Sequence, residues 1–167
     1  MHELSPGYTH IQHTFEPVYD THSRILILGS FPSVKSRENN FYYGHPQNRF
    51  WRLMAQLLSE ETPKNIDEKK SMLLRHGIAI WDVVASCDIK GSSDSSIRNV
   101  VPADINRVLR AADIQVIIAN GDTAYRLYQK YCREETGRDA VRCPSTSPAN
   151  AVFTLERLAE AWEEYFR

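Results

Sequence analysis

The strongest constraint on the fold of this chain is a set of short apolar runs that do not alternate with polar residues. Residues 25–28 read ILIL, residues 78–84 read IAIWDVV and residues 114–119 read IQVIIA. A strand with one wet face alternates, so unbroken runs of this length suit parallel strands buried on both faces. Between the runs, apolar residues recur at helical spacing: Phe50, Leu53, Met54, Leu57 and Leu58, then Met72, Leu73 and Leu74, then Ile105, Val108, Leu109 and Ala112, then Ala124, Leu127, Tyr128 and Tyr131. A short fourth strand is expected over residues 140–143, and a last helix from Thr154 burying Leu155, Leu158, Ala159, Trp162 and Phe166. Strands alternating with helices imply βαβ units with right-handed crossovers. The expected architecture is α/β, a three-layer α/β/α sandwich around a small, mainly parallel four-stranded sheet.

Local signals refine this outline. Asn65 is placed to cap the second helix and Gly77 to stop it. Pro102 is expected in the first turn of the third helix, and Gly137 at the end of a helix over residues 122–135. Residues 1–22 are polar, hold Pro6 and Pro17, and are expected as an irregular lead-in. The 167 residues, 42% hydrophobic, suffice for one buried core and point to a single domain over residues 1–167.

Charge and cysteine content narrow the chemistry. A formal net charge of −1 announces no polyanion partner, so contact with nucleic acid needs a local patch. Arg24, Lys35, Arg37, Arg49 and Arg52 against Glu38 alone form one candidate, although charged loops are commonly just solvated. Cys87, Cys132 and Cys143 are too widely spaced for a zinc ribbon or an iron–sulfur cluster and read as reduced thiols. His2, His10, His13 and His22 match no metal-site spacing and read as part of an exposed arm. With no signal sequence and no long apolar span, the expectation is a cytoplasmic, monomeric protein without metal or cofactor.

The exits of the strands are where function is expected, because ligands of open α/β sheets bind outside the carboxyl ends of the strands. Two exits are long, residues 29–48 and 85–98, and long loops inside compact domains are commonly functional. The turn at Gly29 is followed by no Gly-Lys-Ser/Thr and contains no second glycine, so it is neither a phosphate loop nor a dinucleotide fingerprint. A nucleophile at Ser30 or Ser33 has only His45 nearby and lacks the G-x-S-x-G elbow. Asn48 stands at the mouth of the first helix, where an Asn commonly serves as N-cap.

Three segments carry a resemblance: Gly29-Ser30-Phe31-Pro32-Ser33, residues 42–51 (YYGHPQNRFW), and Pro144-Ser145-Thr146-Ser147-Pro148-Ala149-Asn150. In this order, at the ends of the first and last strands, they resemble the uracil-DNA glycosylase superfamily, and are most similar to its hypoxanthine-DNA glycosylase branch. The resemblance spans residue 24 to the C-terminus. Two departures stand out. Phe31 occupies the place of a water-positioning Asn in the mismatch branch, and Ser145 stands where the classical branch has His.

The resemblance implies a monofunctional, metal-free glycosylase that flips a deaminated base out of DNA, most simply hypoxanthine from deoxyinosine, and hydrolyses its N-glycosidic bond. It implies catalysis by Asn48, a base pocket formed by Gly29, Ser30, Phe31, Pro32, Tyr43 and Asn120, and DNA contacts from residues 145–150. It also implies residence at the nucleoid. Asp94 is the alternative group for activating water. A uracil or mismatch glycosylase, a non-catalytic module that binds damaged DNA and a serine hydrolase are the competing readings.

Overall fold

A computed structural model describes residues 4–91 and 93–167 of the chain; His2 of the expected arm and Ser92 of the second long loop lie outside them. Chain order is β1 Thr9–Gln12, β2 Ile25–Gly29, α1 Val34–Asn39, α2 Phe50–Leu58, α3 Ile66–Arg75, β3 Ile78–Asp82, β4 Val84–Ile89 and β5 Arg98–Pro102. It continues with α4 Asn106–Ala111, β6 Val116–Asn120, α5 Asp122–Tyr131, α6 Arg133–Thr136, β7 Val141–Cys143 and α7 Leu155–Trp162.

The apolar runs form the expected parallel sheet, in the order β3-β2-β6-β7. All of β2 is buried, and its side chains divide between two cores, as the period of two requires. Ile25 and Ile27 pack with Leu53, Met54, Leu73 and Trp162 of α2, α3 and α7. Leu26 and Leu28 pack with Val108, Ala124 and Tyr128 of α4 and α5. Burying a Leu or Ile side chain is worth about 1.5–3 kcal/mol, so a sheet covered on both faces concentrates the stability of the fold at the strands that carry the site.

Caps set the helix ends. Asn65 accepts a hydrogen bond from the Glu68 N–H at 2.9 Å, Thr154 accepts one from Arg157 N–H, and Gly137 closes α6 with a φ of +68°. The helix expected over residues 122–135 is divided at Cys132 into α5 and α6.

Two expectations are corrected. Residues 9–12 of the lead-in and much of the second long loop form a separate antiparallel sheet, in the order β1-β4-β5. Its buried side supplies Cys87 and Ile89 to the core. Its other side includes Asp88, which is buried but accepts hydrogen bonds from His10 Nδ1 and Asn99 Nδ2, each at 2.8 Å. A strand that hides a satisfied carboxylate reads as a polar loop. Pro102 ends β5 rather than opening a helix, and the Ala103 N–H still bonds the Val83 carbonyl at 2.7 Å. Proline is tolerated on such an edge strand. Among the described residues, no helix is long and apolar enough to cross a membrane.

Candidate active site

The register of the parallel sheet creates the site. Gly29, at the end of β2, pairs with Asp82 at the end of β3. On the other side Leu28 pairs with Ala119, which places Asn120 beside Gly29. The centre of the three strand ends thus has no side chain, and a notch opens between Asp82 and Asn120. Above it lies a cavity of about 510 Å³, within the size range of small-molecule sites.

Its lining gathers nearly every expected site residue: Gly29, Ser30, Phe31, Pro32, Tyr43, Asn48, Asn120, Ser145, Thr146, Ser147, Pro148 and Ala149. Asp82, Asp94 and His45 join them. Asn150 instead lines a neighbouring depression and donates through Nδ2 to the Ser145 carbonyl at 3.0 Å. Phe31 belongs both to the cavity wall and to the core, with an exposure of 8%, so its ring is fixed where a planar ligand could stack.

Asn48 is not the N-cap of α2, a place that Arg49 takes; it stands one residue earlier. Its Oδ1 accepts the Phe50 N–H at 2.9 Å and the Thr146 hydroxyl at 2.8 Å. Thr146 Oγ1 in turn accepts from Asn120 Nδ2 at 3.1 Å, and the Thr146 N–H bonds Asn120 Oδ1 at 3.0 Å. Both lone pairs of the Asn48 carbonyl oxygen are therefore used. What Asn48 offers to the cavity is its Nδ2 donor, not the carbonyl. Thr146, expected at the DNA, is fully buried and works inside the protein, joining the two amides that flank the cavity.

The loop of residues 144–153 is anchored by Arg49. Its guanidinium donates to the carbonyls of Ser147 at 2.8 Å, Asn150 at 3.0 Å and Phe153, and its backbone N–H donates to the Thr146 carbonyl at 3.1 Å. Arg49 therefore braces a loop and is not a free member of a basic patch. Lys35 is paired with Glu38, and Arg37 donates to the Gly91 carbonyl at 2.7 Å, so the expected patch is largely committed to internal contacts. Within the anchored loop, Val152 is 74% exposed.

Asp94 sits on a turn of 3-10 helix at the cavity wall and accepts from Ser30 Oγ at 2.9 Å. Asp94 as a residue is exposed, but partial desolvation of its carboxylate at the cavity wall pushes its pKa up; the Ser30 hydrogen bond acts the other way and the Asp82 charge adds to the rise. Ser30 therefore faces an acid and not a histidine, and Ser33 caps α1 by accepting the Ser36 N–H. Neither is arranged as an activated nucleophile. Burial pushes the thiols of Cys87 and Cys132 up to about 11 and that of Cys143 to about 12, which makes them inert. Among the described residues, no group of His, Cys, Asp and Glu is arranged to hold a metal ion.

Three residues of the site carried another reading in the sequence or none: Arg49 read as part of a basic patch, Asp82 was not singled out, and His13, expected in an exposed arm, instead has its side chain buried against Asp82. Asp82 carried a signal, being the one charged residue in an otherwise apolar strand. Nothing local marked His13, which reaches the site only because β1 pairs with β4. Its Nε2 donates to Asp82 Oδ2 at 2.8 Å, with both side chains 5% exposed.

A pocket at the carboxyl ends of a parallel sheet, walled by an aromatic ring, carboxamides and a small-residue loop, defines an α/β protein whose cavity suits a planar polar ligand. The comparisons with known proteins agree in detail. A sequence model of the Uracil DNA glycosylase superfamily matches residues 16–165. A protein of Methanosarcina acetivorans named Hypoxanthine DNA glycosylase is 36% identical over 159 residues, covering 94% of this chain and 99% of its own. One of the same name from Methanosarcina barkeri is 32% identical over 158 residues, covering 92% and 96%. A solution NMR structure from Methanosarcina acetivorans, described as a candidate uracil DNA glycosylase, superposes with a TM-score of 0.78 at 34% identity, covering 92% of this chain and 94% of that one. The chain belongs to the uracil DNA glycosylase superfamily.

Proposed function

We propose that this protein is a monofunctional DNA glycosylase that removes deaminated bases, hypoxanthine from deoxyinosine foremost. The observation that carries the reading is the single cavity over the Gly29 notch, which collects Asn48, Phe31, Tyr43 and Asn120 in a space suited to one flipped base. The hypoxanthine preference is supported by the names of the two relatives.

In the proposed reaction the extruded base stacks on Phe31. Water held by Asn48 Nδ2 bonds to C1′ as the C1′–N9 bond breaks and its electron pair leaves with the base. The transition state is an oxocarbenium-like sugar, so placement of the water matters more than a strong base. One water proton passes toward Asp94, and the departing hypoxanthine takes up a proton, giving an abasic deoxyribose and free base. The N–H groups of Ser30, Phe31 and Ser33 are assigned to the charge that develops on the leaving base. Ser145, Ser147 and Asn150 are assigned to phosphate, while Pro148, Ala149 and Val152 form an apolar tip that fills the space the base vacates. Among the described residues no lysine lines the cavity, which favours hydrolysis without a Schiff base. We further propose that it acts as a monomer, a single domain at the nucleoid.

Incubating a deoxyinosine duplex with the protein and then treating it with alkali tests this. The expected result is a strand break only after alkali, strongly reduced for Asn48→Ala. Damage-dependent binding with no base release would instead identify a non-catalytic DNA-binding module.

A further inference from the structure

A duplex must be met by cations that are free to meet it, and most of the basic cluster expected from the sequence is not. Lys35 is paired with Glu38, while Arg37 and Arg49 donate to backbone carbonyls. Lys90 and Arg98 are in the opposite condition. They stand at the two feet of the loop between β4 and β5, both are exposed, and neither makes an ion pair with a described residue. Their heads lie instead over one ring, that of Tyr8: the Arg98 guanidinium carbon is 3.7 Å and Lys90 Nζ 4.9 Å from its centroid. Strand register brings them together. Thr9 pairs with Ile89 and Asp88 with Arg98, so the start of β1, the end of β4 and the start of β5 meet at one corner of the antiparallel sheet. The one carboxylate of this sheet, Asp88, is buried and accepts from His10 and Asn99, so it is the salt-bridge partner of neither cation.

Two like charges gathered on one ring repel each other, and an anion between them relieves the repulsion. A guanidinium stacked on an aromatic face also keeps its N–H edge free for a phosphate. The position suits a flank of the DNA. The loop that joins Lys90 to Arg98 carries Ser93, Asp94 and Ser95 to the cavity wall, and it is tied to its own foot by the Lys90 N–H to Ser96 Oγ at 2.9 Å and the Ser93 N–H to the Lys90 carbonyl at 3.0 Å. Asp94 is four residues from either foot, so neither Cα lies more than about 14 Å from its own, a reach of about four base-pair steps along a duplex. Resting on the glycosylase reading, we propose that Tyr8, Lys90 and Arg98 form a second DNA contact, a platform that binds backbone phosphates within about four positions of the flipped nucleotide. The platform reads no base. It supplies register and affinity to a protein whose net charge of −1 supplies neither.

The test measures affinity for a deoxyinosine duplex and for an undamaged one between 50 and 200 mM salt, in the wild type and in the double variant Lys90→Met, Arg98→Met. In the variant the slope of log K against log salt should be shallower by about 2, so that salt weakens its binding about tenfold less over this range, on both duplexes alike. Each single variant should give about half the change. Base release from DNA already bound should keep its wild-type rate, because the platform does not touch the base. Replacing the phosphates around the lesion one at a time by uncharged methylphosphonates locates the contact: at one or two positions the wild type should weaken and the double variant should not. An unchanged salt slope in the folded variants, or methylphosphonates that cost wild type and double variant equally at every position, would overturn the platform while base release by the wild type stands. Release of no base by the wild type from any duplex would instead overturn the glycosylase reading.

Discussion

Asn48 shows how a single residue can carry structure and chemistry together. Its Oδ1 holds the Phe50 N–H and the Thr146 hydroxyl, while its Nδ2 is the atom assigned to water. Asn48→Asp separates the roles, because a carboxylate keeps both accepted hydrogen bonds and loses the donor. We expect a melting temperature close to wild type and base release lower by about 10²–10⁴-fold, the range for a lost group that handles water or its proton. Asn48→Ala should in addition lose about 1 kcal/mol of stability with the hydrogen bond from the Phe50 N–H. Gly29→Ala is the second residue-scale prediction. Its methyl group would meet Asp82 Oδ1 and Tyr43 Oη, so hypoxanthine binding measured by calorimetry should be lost while circular dichroism remains native. The sequence offered Asn48 as a helix cap or as a catalytic residue; that its Oδ1 is occupied by the Thr146 hydroxyl was not legible, because Thr146 lies 98 positions away along the chain.

Among the elements, the loop of residues 144–153 depends on α2 through Arg49. One guanidinium satisfies carbonyls of Ser147, Asn150 and Phe153, and Arg suits this work because its planar fork offers several fixed donors. Arg49→Met should free the loop, giving faster amide hydrogen exchange over residues 145–150 and a higher KM for DNA with a smaller change in kcat. Loss of affinity with exchange unchanged would instead mean that Arg49 touches DNA directly. The parallel strands were readable because both faces of β2 are covered and its residues are uniformly apolar. The antiparallel sheet was not, since β1 and β4 satisfy polar residues such as His10 and Asp88 across strands, a pairing that no local window contains. Asp82 was passed over for a similar reason: its partner His13 is 69 positions distant.

For the whole molecule, Asp94 links stability and activity to pH. Folding raises its pKa above the ordinary value of 3.8, so the folded state favours the protonated form. Its contribution to stability is fully present below that value and is lost as pH rises through the folded pKa. Asp94→Asn should therefore remove part of the decline in stability on the alkaline side of 3.8. If Asp94 receives the water proton, the acidic limb of the rate profile should sit above that same value in the wild type and disappear in Asp94→Asn. A limb that persists in the variant would assign the proton elsewhere.

The central claim is that this fold hydrolyses the glycosidic bond of a flipped deaminated base with water held by Asn48. Its most direct test is chromatographic detection of free base from a deoxyinosine duplex with enzyme in excess over DNA. The account predicts one hypoxanthine per deoxyinosine, an intact sugar–phosphate strand before alkali, and an Asn48→Asp protein that is folded but slower by at least about 100-fold. No free hypoxanthine, or release by Asn48→Asp at the wild-type rate, would contradict it.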